Sequence, residues 1–223
     1  MRKLVFLAIV AMGLCIAIGL PHATAMTVTV GTIGSGGNAF PFGSTGSSYP
    51  GTTYQQVYNQ ALFTEMYITG VTFFNSGGSS IDGATYTMYL STTTKAVNGL
   101  DTATLSNNVG TDNMLFKSEY LSGNPGSSFT FSGPAFLYNP ANGNLLVEIL
   151  KSGGSVGSYT GWFDAMNGNF GTDSSRAHDF GTGFEQFGLV TQFSSSSVPL
   201  PGALLLFGPG LVGLAAIRRR FRK

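Results

Sequence analysis

The residues able to do chemistry are few and scattered. His178 is the only histidine beyond the first 25 residues; it adjoins Asp179 and follows Ser174 and Ser175. A serine nucleophile needs a histidine and a carboxylate gathered by the fold, and adjacency along the chain does not supply that. The pattern instead predicts a histidine in a loop. Glu119, Glu148, Asp164 and Glu185 offer carboxylates for glycoside cleavage, yet no spacing singles out a pair, so no catalytic residue is expected. A zinc site is disfavoured, because one histidine and no thiol beyond Cys15 leave too few ligands. Asp101, Asp112 and Asp173 carry hard oxygen ligands suited to calcium, but no EF-hand or RTX loop surrounds them. They read as solvated turns, and neither metal nor cofactor is expected. Gly31 to Gly37 lacks the lysine and helix start of a phosphate loop and reads as a flexible turn.

Aromatic side chains suggest a different chemistry, because sugar rings stack on flat aromatic faces. Tyr159, Trp162 and Phe163 lie close to Asp164 and Asn167, whose polar groups could fix hydroxyls. Neighbours in a strand point to opposite faces, so only one of Trp162 and Phe163 can join Tyr159. Tyr159, Trp162 and Asp164 are the candidate glycan contact. The competing reading, preferred on sequence alone, places Trp162 in the core.

Short strands must position these residues. Period-two or β-rich runs predict strands at Thr27 to Val30, Tyr54 to Tyr58, Met66 to Phe74, Ala84 to Leu90, Met114 to Leu121, Ser128 to Phe131, Leu145 to Leu150, Ser158 to Asp164 and Gln186 to Phe193. Asp82-Gly83, Asn98-Gly99 and Asn142-Gly143 supply turn chemistry. Ser91 to Asn113 is the longest stretch without a strand signal, either a functional loop or a flexible crossover. The expected fold is all-β: an antiparallel β-sandwich of jelly-roll or immunoglobulin-like kind over residues 26–193, with helices only at the two chain ends. Composition agrees, since 32 glycines and only 9% charged residues disfavour helices, while 43% hydrophobic residues provide a core.

The charges are segregated. Outside the two ends, Lys95, Lys117, Lys151 and Arg176 face all ten acidic residues, a balance of −6 that argues against nucleic acid as a partner. At the front, Arg2 and Lys3 precede an apolar run from Leu4 to Leu20 and the small-residue site Ala23-Thr24-Ala25. These are the three parts of a secretory signal peptide spanning 1–25, cut after Ala25. Leu14 before Cys15 disfavours a lipoprotein signal, and the domain is left without a thiol.

At the back, a polar spacer (194–197) leads to Val198-Pro199-Leu200-Pro201-Gly202, an apolar run to Ile217, and Arg218, Arg219, Arg220, Arg222 and Lys223. As a helix the apolar run spans about 24 Å, and snorkelling arginines extend it toward the ~30 Å hydrocarbon core. The terminal positive cluster places the tail in the cytoplasm and the domain outside. This order of motif, helix and arginine cluster over residues 198–223 resembles the PEP-CTERM sorting signal of Gram-negative bacteria, with Leu200 where the type motif has glutamate. The resemblance implies an exosortase-type enzyme as partner, processing at Val198 to Gly202, membrane anchoring beforehand, and delivery to the cell surface or extracellular matrix. A plain single-pass anchor is the alternative. Through Tyr54 to Tyr58 and Ile68 to Phe73 the middle also resembles domains that accompany this tail. The expected function is a non-catalytic structural or adhesive protein in a polysaccharide matrix; the alternatives are a secreted glycan-binding module or a glycan hydrolase.

Overall fold

The computed structural model describes residues 25–43, 52–77, 80–154, 161–165, 171–179, 186 and 188–195. The expected signal peptide except Ala25, the sorting motif, the apolar helix and the basic tail lie outside these residues. Tyr159, Asn167 and Glu185 do as well. A compact unit spans Met26–Ser196. Among the described residues, no helix is long and apolar enough to cross a membrane.

The domain is all-β and its strands pair antiparallel. Eleven strands are described: β1 (Thr27–Val30), β2 (Gly37–Asn38), β3 (Thr53–Tyr58), β4 (Met66–Phe74), β5 (Ile81–Thr93), β6 (Met114–Gly123), β7 (Ser128–Tyr138), β8 (Asn144–Gly153), β9 (Phe163–Asp164), β10 (Ser174–His178) and β11 (Thr191–Ser194). They form a four-stranded sheet, β1-β11-β4-β7, a five-stranded sheet, β10-β3-β8-β5-β6, and the pair β2-β9. Four pairings nest inside one another: β5 with β6, β4 with β7, β3 with β8, and β1 with β11. The chain therefore runs as one long antiparallel double strand whose tip is the segment between β5 and β6.

Alternation sets the buried faces. In β5, Ala84, Tyr86, Met88 and Leu90 are buried, while Thr85, Thr87 and Tyr89 between them are half-buried. Val71, Phe73, Phe131 and Phe193 from the four-stranded sheet share one hydrophobic cluster with Tyr54, Tyr86, Met88 and Val147 from the five-stranded sheet. Phe42, fully buried, lies 4.7 Å from the Phe129 ring, 4.8 Å from Phe73, 5.3 Å from Tyr86 and 5.5 Å from Phe163. Burying a side chain of this kind contributes about 1.5–3 kcal/mol.

The opposite face of the five-stranded sheet is covered too. Val57, Leu146 and Ala177 pack there against Leu100, helped by Val97, Leu105 and Val109. This explains why Leu145-Leu146-Val147 is an unbroken apolar run: both faces of β8 are buried at that point. The expected loop is thus neither free nor a bare crossover. β5 continues to Thr93, and residues 94–113 lie against the sheet around a single 3-10 turn, Leu105–Asn108. Asp101 organises the cover, accepting from Ala103 N at 3.0 Å, Thr104 N at 2.9 Å and Asn107 Nδ2 at 2.8 Å. Asn108 Nδ2 then donates to Gln55 Oε1 at 2.7 Å, fastening the cover to β3.

Several boundaries differ from expectation. β7 runs on to Tyr138 through a register shift opposite Ile68/Gly70, where β4 accommodates the irregularity. β11 begins at Thr191 rather than Gln186, and of Ser158 to Asp164 only Phe163 and Asp164 are described as strand. Gly37 is not free turn; it pairs with Asp164 in β2.

Candidate functional site

β9 carries the aromatic candidate, and its two neighbouring rings part company. Phe163 is fully buried, whereas Trp162 is 46% exposed. The expectation of Trp162 in the core is therefore corrected. Phe163 takes the inward position because it pairs with Asn38 and is bridged to Asn75, which turns its ring onto Phe42 and Phe129. Trp162 is left on the other side, its carbonyl accepting from Ser76 N at 2.9 Å. The indole rests against glycine: a Cβ on Gly37 would sit 2.8 Å from Trp162 Cβ and 3.6 Å from Cγ and Cε3. Gly34 and Gly36, at φ +84° and +90°, turn the 31–36 segment beside it.

Asp164, two residues on and so on the Trp162 side of β9, is 3% exposed. Its Oδ2 accepts from Gly34 N at 2.6 Å, Ser35 Oγ donates to Ala165 O at 2.7 Å, and Ala165 N donates to Gly36 O at 3.0 Å. Asp164 thus shapes the glycine turn through Oδ2. The remaining expected contact, Tyr159, lies outside the described residues.

Strand registers place this platform. Val30, Thr191 and Phe73 stand in one row, and the Asn75 and Ser76 turn follows β4 beyond it. Asn75 N donates to Ser127 O, so the β6–β7 turn joins the same end. Thr27 and Ser194 pair at the far end of the same two strands, where Ser195 N donates to Met26 O at 2.9 Å. The chain enters and leaves the domain at the end opposite Trp162.

His178 is corrected as well. It is not in a loop but closes β10, paired with Tyr54, 5% exposed, with its ring edge-on to Phe40 at 6.0 Å. Ser174 is four residues away along the same strand, about 13 Å at ~3.3 Å per residue, and Ser175 faces the other side, accepting from Asn98 N at 2.8 Å. Asp179 accepts from Thr52 N and Oγ1 at 2.9 and 2.8 Å. The fold disperses this trio. Sequence inspection also missed a buried polar seam on β3 and β10. Tyr54 Oη donates to Gln56 Oε1, Gln56 Nε2 donates to Leu189 O at 3.0 Å, and Arg176 Nη1 donates to Asn38 Oδ1 at 2.8 Å.

Among the described residues, the other candidate carboxylates are held apart on separate elements. Glu148 accepts from Gln55 Nε2 at 2.7 Å on the covered face of β8, and Glu119 lies 3.9 Å from Lys117 on edge strand β6. Asp101 is committed to its turn, whose hydrogen bonds from Asn107 and Thr104 hold its carboxyl below the ordinary value, and Asp112 Oδ1 accepts from Thr92 N at 2.7 Å. Among the described residues, no group of three or more His, Cys, Asp or Glu could hold a metal ion. No protein-family model, curated protein or solved structure matches the chain.

Proposed function

We propose that the chain is an exported, non-catalytic β-sandwich protein of the cell surface or extracellular matrix, installed through its PEP-CTERM-like tail, with Trp162 as its polysaccharide contact. The nested pairings, rolled into β1-β11-β4-β7 and β3-β8-β5-β6, follow the strand order of a jelly roll, with β10 added beside β3. Jelly rolls include lectin domains, an analogy of fold that adds weight without assigning a ligand. One observation carries the reading: a half-exposed indole, seated against Gly37, at the end of the domain opposite Met26 and Ser195. Exosortase-type processing at Val198 to Gly202 and signal removal after Ala25 complete the proposal.

A glycan array probed with the protein and with Trp162→Ala tests it. Binding to neutral glycans that is lost in the variant is the expected result. Turnover of any glycan, abolished by one carboxylate substitution, would instead make the protein a hydrolase. Carboxyl-terminal peptide analysis of the protein from its native cell surface tests the sorting arm separately, because a product still carrying Arg218 to Lys223 removes the processing enzyme.

A further inference from the structure

Lys151 on β8 and Asp82 on β5 meet inside the domain. Lys151 Nζ lies 2.7 Å from Asp82 Oδ2, with side chains 5% and 2% exposed. The surface pair Lys117 and Glu119, at 3.9 Å with 38% and 30% exposure, shows the ordinary solvated arrangement by contrast. Protein closes over the buried pair. Asp82 N donates to Phe42 O at 2.7 Å, and Tyr86 Oη donates to Asp82 O at 3.0 Å. Gly154, at φ +101°, passes so near that a Cβ there would collide with Asp82 Oδ2 and come within 2.9 Å of Lys151 Cε.

Taking two ions out of water is costly, and a proton passed across the direct 2.7 Å contact turns the pair into an uncharged amine and acid without either group meeting solvent. The amine so formed is a nucleophile in contact with a carboxylic acid. The β5–β8 ladder, from Ala84↔Gly153 to Thr93↔Asn144, fixes Lys151, and Asp82, just beyond that ladder, is fixed by its backbone hydrogen bond to Phe42. Fixed proximity of this kind replaces an encounter in solution. We propose that Lys151 and Asp82 condense to an internal amide cross-link. The ammonium passes a proton to the carboxylate, the Nζ lone pair attacks Cγ, Nζ gives a second proton to the hydroxyl oxygen, and the bond from Cγ to that oxygen breaks to release one water. No oxidant or cofactor takes part. The product removes both buried charges and ties together residues 69 apart in sequence. It gives a domain without thiols the covalent restraint that disulfides give other exported proteins.

The test is mass analysis of the full chain recovered from cells and denatured. The expected product is lighter by one water than its sequence, resists trypsin after Lys151, and yields a branched peptide carrying both Asp82 and Lys151. A Lys151→Arg chain keeps its full mass. Cleavage after Lys151 in a wild-type chain of full mass overturns the proposal, as does a lost water that persists in Lys151→Arg.

Discussion

Trp162 and Phe163 are adjacent, chemically alike and placed in opposite environments, so their substitutions separate binding from stability. Trp162→Ala should weaken glycan binding at least tenfold, about 1.4 kcal/mol, while the unfolding free energy from urea titration stays within ~0.5 kcal/mol of wild type. Phe163→Ala should cost about 3–5 kcal/mol, read by the same urea titration, because its ring fills the contact between Phe42 and Phe129. Equal destabilisation by both would return Trp162 to the core. Asp101 acts at the same scale through its charge. Its folded pKa lies below its ordinary value of 3.8, so its stabilising effect is fully present above that value and is lost as pH falls through the lowered folded one. The stability difference between wild type and Asp101→Ala should therefore be constant from pH 7 to about 5 and shrink in strongly acidic solution. Urea titrations at neutral pH and near pH 2 check this, and a gap that widens on acidification contradicts it.

At the scale of elements, the cover over residues 94–113 is the piece whose structure depends most on a single apolar side chain. Leu100→Ala should destabilise the domain by about 2–5 kcal/mol in urea and speed amide exchange at Val57 and Ala177 beneath it. This element also marks where sequence became hard to read. Strand Met66–Phe74 was legible to the residue, because apolar, aromatic and β-branched residues run on both sides of Gly70. β5 was legible only in its middle, where Tyr86, Met88 and Leu90 alternate with polar neighbours; its ends bury Asp82, Ser91 and Thr93, whose types signal solvent. β10 gave no local signal at all. Ser174, Ser175, Arg176 and His178 are buried by pairing with β3 and by the polar seam, both long-range consequences of the fold. The same holds for the candidate site. An exposed aromatic was readable as a type, but whether Trp162 or Phe163 faced outward was decided by Asn38 and Asn75, distant in sequence.

At the scale of the whole domain, nested pairing brings the first and last strands together, which fixes where the chain can be tethered. Met26 N donates to Ser195 Oγ at 2.9 Å, and β11, flanked by β1 and β4, is not an edge strand. A segment attached after Ser195 thus hangs from an interior strand at one end, while the turn at Asn75 to Gly77 stands at the other beside Trp162. Two fusions probe this polarity. A folded protein appended after Ser195 should leave glycan affinity unchanged, because Ser195 lies at the end of the domain away from Trp162. The same protein inserted at Gly77, whose φ of +75° and open surroundings mark an exposed turn, should abolish binding yet preserve the urea midpoint, since loop-tip insertions spare the core. If both fusions bind equally well, glycan is held on some other surface; if the Ser195 fusion alone loses binding, the contact lies at the tethered end, and presentation through Trp162 is wrong.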